Sequence, residues 1–386
     1  MENFIYHIPT KIYFGKGKIH ELAESVKPYG NKLLLVYGGG SIKKIGLYDT
    51  MIAILKNHNM EFYELPGVDP NPRITMVNEG ARLCREKGIE AVLAIGGGSA
   101  IDCAKAIAAA ASYEGDAWDL VSGKVPVQSV LPIITILTLA ATGSEMDTNS
   151  VISNMETQEK KAFSHADMRP VVSILDPEYS YSVSKYQTAA GTADIMCHVM
   201  EDYFNNNGGA YLQNRFCEAI LKTVIHYGKT ACENPQDYEA RANLMWAGSW
   251  AINGLLSAGN PSAWSAHAME HELSAYYDIT HGAGLAILIP HWLRHMMRED
   301  NLNKYVDYGV EVWGIDKALE SHEIAKRAID ATAAYFKSMD LPTTLREVGI
   351  DDQNFEKMAK GAGAHLKKAF VPMDAQDVLA IYKKAL

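Results

Sequence analysis

Ala91–Lys105 reads AVLAIGGGSAIDCAK: an apolar run, three glycines and a serine, then a segment of helical character. The run Ala91–Ile95 is short and apolar, which reads as a buried strand. Gly96, Gly97, Gly98 and Ser99 turn the chain, and a helix from Ala100 to Ser112 follows. A strand feeding a helix through such a turn is the building unit of a parallel α/β sheet. Glycines let backbone N–H groups approach phosphate oxygens, and the helix N-terminus behind them adds a favourable field. A single copy has a plainer reading, a tight strand-to-helix turn without a ligand.

The unit recurs upstream. Lys32–Tyr37 (KLLLVY) ends in Gly38, Gly39, Gly40 and Ser41, ahead of a helix over Leu47–Asn59. Glu61–Leu65 reads as a strand, Ile74–Glu86 as a helix, and Leu131–Leu137 as a further strand. That last strand runs into Thr138-Leu139-Ala140-Ala141-Thr142-Gly143-Ser144-Glu145. Nearer the start, Tyr6–Ile8 and Lys11–Phe14 read as two short strands, with a glycine turn at Gly15–Gly17. The alternation implies a parallel sheet covered by helices on both faces. Two GGGS turns plus the Thr138–Ser144 turn favour a nucleotide pocket. Neither copy is a GxGxxG fingerprint, and no GK[ST] follows, which argues against a kinase or ATPase. Past Asp176-Pro177 the strand signals stop, so we expect an α/β dinucleotide-binding domain over 1–184 and a helical, metal-binding domain over 185–386.

In that helical half, Thr188–Asn205 (TAAGTADIMCHVMEDYFN) places Asp194 and His198 at i and i+4, one turn apart on one face. Asn260–Ala275 (NPSAWSAHAMEHELSA) opens with Asn260 as expected N-cap and Pro261 at the first helical position, and carries His267 and His271 at the same spacing. His281 precedes Gly282 at the start of another expected helix, where the positive end of the helix disfavours imidazolium. One carboxylate and three or four imidazoles on three elements together favour a metal site, although each histidine taken singly is more often a core or surface residue. His267-Ala268-Met269-Glu270-His271 also spells HxxEH, the inverted zinc-peptidase motif, with Glu270 as water activator. That reading leaves both GGGS turns and the Asp194/His198 helix without a purpose. A non-catalytic nucleotide-binding regulator would in turn leave the metal cluster without one.

The 386 residues suffice for two domains, and the formal charge of −10, with both signs interspersed, argues against nucleic acid or an anionic membrane as partner. The 5 cysteines are scattered without a CxxC, neither a disulfide framework nor a zinc ribbon, and fit a reducing cytoplasm. MENFIYHIPT has no basic-then-apolar signal pattern, and no apolar run approaches membrane-spanning length.

Gly96-Gly97-Gly98-Ser99-Ala100-Ile101-Asp102-Cys103-Ala104-Lys105 resembles the GGGSxxDxAK signature of the iron-containing (group III) alcohol dehydrogenases. Asp194, His198, His267 and His281 fall where that family places its metal ligands, and His271 matches its further histidine near the substrate. IPTKIYFGKGKI, LVYGGGSIKKIGLYD and GAGLAILIPHWL are similar to the butanol dehydrogenase and broad-range aldehyde reductase branch. Ala141 and Ser184 depart from the family's usual glycine and proline. The resemblance implies a Rossmann-like α/β domain plus an all-helical one, the dehydroquinate synthase-like architecture. It implies NADP(H) or NAD(H), one Fe²⁺ or Zn²⁺, a small alcohol or aldehyde substrate, and a homodimer. By position, Gly97, Gly98 and Ser99 would hold the pyrophosphate with Asp102 nearby. Thr138 and Thr142 would line the nicotinamide side, Lys161 would reach a ribose hydroxyl, and His271 would relay a proton. Gly38–Ser41 carries no carboxylate for a ribose 2′-OH, while Ser41, Lys43 and Lys44 suit a 2′-phosphate, so NADP(H) is expected over NAD(H).

Overall fold

β1 (Lys11–Phe14), β2 (Lys32–Tyr37), β3 (Glu61–Pro66), β4 (Ala91–Gly96), β5 (Ile133–Leu137) and β8 (Val172–Leu175) form one sheet in the order β1-β8-β5-β4-β2-β3. Every pairing in it is parallel. β6 (Asn149–Asn154) and β7 (Glu159–Ser164) make a separate antiparallel hairpin. The computed structural model describes residues 1–206, 209–364 and 366–386. The described helices of more than two turns are α1 (Leu47–Asn57), α2 (Ile74–Lys87), α3 (Gly98–Ala110), α4 (Lys185–Tyr203), α5 (Tyr211–Glu233), α6 (Tyr238–Ile252), α7 (Ser265–Tyr277), α8 (His281–Met296), α9 (Ser321–Ser338), α10 (Phe355–Gly363) and α11 (Ala375–Ala385). None is long and apolar enough to cross a membrane.

The chain divides into two compact units. One comprises His7–Val183 with Pro235–Ser249; the other comprises Met1–Tyr6, Ser184–Asn234 and Trp250–Leu386. In the α/β unit, the period-2 alternation of the central strands fills two cores. Leu34 and Val36 of β2 pack with Val77 and Ala81 of α2 and Ile101 and Ala104 of α3. Leu33, Leu35 and Tyr37 pack with Leu47, Met51 and Leu55 of α1 on the opposite face. A strand buried on both faces must be apolar throughout, which is why KLLLVY and AVLAI were legible.

The sheet also defines where a ligand can enter. From β2 the chain steps outward to β3, then returns past β2 to β4 and continues through β5 to β8. The direction therefore reverses between β2 and β4, whose ends pair as Tyr37↔Ile95. Both GGGS turns leave the carboxyl ends of these two strands, at the switch point where open α/β sheets bind ligands.

One strand reading changes, and three strands are added. Tyr6–Ile8 forms no strand, and Ile5 before it is 97% exposed; β1 is an edge strand paired only to β8, so pairing begins at Lys11. The β6–β7 hairpin and β8 escaped notice. NSVISN and EKKAFS lack apolar alternation because the hairpin lies outside the main sheet, and VSIL is only 4 residues long.

In the helical unit α4 is the axis. Ser184 Oγ caps it by accepting the Gln187 N–H at 3.2 Å, and every residue from Thr188 to Tyr203 is buried. A helix hidden on all sides cannot leave its polar groups unpaired. Asp194, His198, Glu201 and Asp202 all lie on it, so each needs a partner.

Candidate functional site

At the switch point, α3 starts with no side-chain cap: the Ala100 and Ile101 N–H groups donate to Gly97 O at 3.1 and 3.3 Å, which leaves those of Gly98 and Ser99 without an intrahelical acceptor. Gly98 opens this helix close against the turn after β5: a Cβ on it would fall 2.3 Å from both Cγ2 and Oγ1 of Thr142. Thr138 N–H donates to Gly96 O at 2.9 Å, tying the two turns together. Gly97, Gly98, Ser99, Thr138, Leu139 and Thr142 are thus brought to one place. Gly38–Ser41 leaves the neighbouring strand and opens the short helix Ser41–Lys44.

Asp102 and Ser144 are paired with each other. Ser144 Oγ donates to Asp102 Oδ1 at 2.6 Å, and the Val151 N–H donates to Oδ2 at 2.9 Å. Burial pushes the Asp102 carboxyl up to about 6. Lys105, fully buried, pairs with the Asp147 carboxylate and donates to Asn149 O at 2.9 Å. The D and K of the signature therefore pin the segment from Ser144 into β6 against α3. Lys161 stands on β7, paired with Glu159 at 2.6 Å.

In the helical unit the donors converge. Asp194 Oδ1 lies 3.4 Å from His198 Nε2, 3.5 Å from His281 Nε2 and 3.9 Å from His267 Nε2. Four donors at about 2.1 Å from one ion in a tetrahedral arrangement lie about 3.4 Å apart. Asp194 Oδ1 and His267 Nε2 are buried without a hydrogen-bond partner among the described residues, an arrangement that costs stability unless a cation takes those lone pairs. Burial opposes ionisation of Asp194, yet the imidazoles of His198, His267 and His281 more than reverse this and hold its carboxyl well below the usual range. Burial pushes His198 down to about 3, leaving it neutral at pH 7, as a ligand must be. Close packing makes the cluster possible: a Cβ on Gly282 would meet Ala190 O at 1.9 Å, so only glycine lets α8 bring His281 this near to α4.

The helix carrying His267 begins at Ser265, not at Pro261, which corrects the N-cap assigned to Asn260. Asn260 is fully buried, its amide donating to Asp202 O at 3.2 Å. The cap comes instead from Glu201 on α4, whose carboxylate accepts the Ser265 N–H at 2.9 Å and the His267 N–H at 3.0 Å. Trp264 makes the turn in the left-handed region (φ 51°), a strained position for a tryptophan. Its ring lies 4.9 Å from that of His267 and 5.6 Å from that of His198. His271, half-buried, has its ring 6.3 Å from that of His267 and 5.6 Å from that of His281. Glu270 is wholly buried, in contact with Ser274 Oγ and His281 Nδ1, so the peptidase reading loses its water-activating base. Glu201 was not singled out from the sequence, and Glu270 was named only as the water activator of the peptidase reading.

Residues 9–177 match the family model for iron-containing alcohol dehydrogenase, and residues 188–386 match that for the C-terminal part of the Fe-containing alcohol dehydrogenase family. The chain belongs to the iron-containing alcohol dehydrogenase family. It is 58% identical over 388 residues to NADH-dependent butanol dehydrogenase A of Clostridium acetobutylicum, covering 100% of both chains. It is 39% identical over 368 residues to the NADPH-dependent aldehyde reductase YqhD of Escherichia coli, covering 95% of this chain and 94% of that one. The crystal structure of NADH-dependent butanol dehydrogenase A from Thermotoga maritima superposes with a TM-score of 0.95 at 39% identity, over 100% of this chain and 99% of that one. Within the family the chain is an NAD(P)-dependent alcohol dehydrogenase or aldehyde reductase of the butanol dehydrogenase branch.

Proposed function

We propose that the chain reduces small aldehydes, butanal among them, to primary alcohols with NADPH, and holds one Fe²⁺ or Zn²⁺ on Asp194, His198, His267 and His281. The observation that carries this is the convergence of three Nε2 atoms on Asp194 Oδ1 inside a buried helical unit. When bound, the ion supplies Lewis acidity toward a carbonyl oxygen and the reduced nicotinamide supplies hydride. The protein's part is binding, alignment and proton delivery. Backbone N–H groups of Gly97, Gly98 and Ser99 take the pyrophosphate at the uncapped start of α3. Thr138, Leu139 and Thr142 line the nicotinamide side, and Lys161 serves a ribose hydroxyl. His271, one turn past His267, returns a proton to the product oxygen. Three nitrogens and one oxygen suit either metal, so availability decides between them.

NADPH follows from Gly38–Ser41, which has no carboxylate and is followed by Lys43 and Lys44. A specific observation favours NADH as a second reading: relatives 58% and 55% identical are named NADH-dependent. The protein works as a homodimer in a reducing cytoplasm, a reading supported by the exposed apolar N-terminal residues Phe4, Ile5 and Tyr6 and by 5 buried cysteines outside any disulfide. Metal analysis of the purified protein, light scattering and an aldehyde panel with both reduced nicotinamides test the proposal. Bound Fe²⁺ or Zn²⁺, a dimer mass and a higher kcat/KM with NADPH are expected; metal-free turnover or a monomer would contradict it.

A further inference from the structure

We propose that Glu201 and Glu270 are positioning residues for the metal centre: each takes the Nδ1 side of one ligand imidazole and so turns that ring's Nε2 toward Asp194. The inference rests on the metal-site reading above and extends it to two residues outside the donor set. Glu201 Oε1 lies 3.3 Å from His267 Nδ1, and Glu270 Oε2 is in direct contact with His281 Nδ1. Both glutamates are buried, at 2% and 0% exposure. A neutral imidazole has one N–H. A carboxylate beside Nδ1 keeps the proton on that atom and leaves the lone pair on Nε2, where a metal needs it.

Each carboxylate is itself held in place. Glu201 also accepts the backbone N–H groups of Ser265 and His267, so one side chain caps α7 and sets the His267 ring. Ser274 Oγ, one turn beyond Glu270 on the same helix, donates to Glu270 Oε1. The result is two relays converging on one point: Ser265 N–H to Glu201 to His267, and Ser274 to Glu270 to His281. His198 differs, because its Nδ1 has no hydrogen-bond partner among the described residues; its ring is instead stacked on that of His267 at 4.8 Å and 10°. Two of the three rings are therefore fixed by carboxylates and the third by stacking on one of them.

Co²⁺ titration of the full-length protein, followed by visible absorption and by competition with a chelator, tests the proposal. Glu201→Gln and Glu270→Gln keep shape and volume but weaken the acceptor, and each should raise the Co²⁺ Kd by roughly 10- to 100-fold. Each should also alter the Co²⁺ absorption band, while NADPH binding stays at the wild-type value. Ser274→Ala loosens Glu270 only indirectly, so an increase of about threefold is expected there. Should a glutamine variant fail to fold, Ser274→Ala still reads the Glu270 relay. Wild-type Kd and spectrum in the folded variants, even with a lowered melting temperature, would overturn the proposal. If the wild-type protein takes up no Co²⁺, the metal-site reading itself has failed.

Discussion

Gly98→Ala puts one methyl group where the structure has no room. Its Cβ would stand 2.3 Å from Thr142 Cγ2 and Oγ1 and 2.8 Å from Thr142 Cβ. Carbon atoms pack at about 3.5 Å, so the start of α3 and the turn after β5 must separate by about 1 Å. Overpacking of this kind costs about 1–3 kcal/mol, and alanine's better helix propensity offsets up to about 1 kcal/mol. The α/β unit should therefore remain folded. Function should suffer more, because the displaced atoms are the N–H groups assigned to the pyrophosphate and the turn assigned to the nicotinamide. A misplacement of about 1 Å costs on the order of 100-fold in rate. NADPH fluorescence titration should show a Kd raised at least tenfold, with kcat for butanal reduction also reduced. Adding Thr142→Gly removes all three contacting atoms and should recover part of the affinity. Wild-type Kd in Gly98→Ala would refute the assignment of this turn to the dinucleotide.

Gly39 has open space where a Cβ would stand, so Gly39→Asp should fold normally and shift preference toward NADH by repelling a 2′-phosphate; an unchanged NADPH-to-NADH ratio of kcat/KM would count against the loop argument. His267→Ala should emerge metal-poor and inactive yet still bind NADPH. His271→Ala should keep its metal and turn over more slowly with an altered pH–rate profile; equal, complete metal loss from His271→Ala would show that its role is misassigned. Burial pushes the Glu145 carboxyl up to about 7, so its protonated form favours the folded state. Above the ordinary carboxylate pKa the unfolded chain releases this proton while the fold retains it, so this stability contribution is lost as pH rises from about 4.5 through 7. Urea unfolding of Glu145→Gln should show a flatter pH dependence over that window than wild type; parallel curves would remove the explanation.

The sheet was legible because its strands are buried on both faces. KLLLVY and AVLAI carry the signal without long-range information, and glycines mark where each strand hands over to a helix. The β6–β7 hairpin was not legible, because it is held by Asp102 and Lys105, whose partners lie 42 to 49 residues away. The same distance problem hid the true start of α7. Asn260-Pro261 is a good local helix signal, but a carboxylate from another helix caps the chain four residues later, and Asn260 is spent on buried carbonyls. Of the candidate site, i,i+4 spacing and a helix start marked Asp194, His198, His267, His271 and His281, and the choice of His267 over His271 as a donor came from the family resemblance. Glu201 and Glu270 could not be marked this way, because a glutamate beside a histidine on a helix usually faces water. Only the burial of α4 and α7 reveals that these two must find partners inside.

Metal stoichiometry of Asp194→Ala, measured after anaerobic reconstitution with Fe²⁺ or Zn²⁺, bears most directly on the central claim. Asp194 supplies the one oxygen on which all three Nε2 atoms converge. The wild-type protein should retain one equivalent through gel filtration. Asp194→Ala should retain almost none, fail to reduce butanal, and bind NADPH with unchanged affinity. A variant that kept a full equivalent of metal and its activity would contradict the assignment of this cluster as the catalytic metal site.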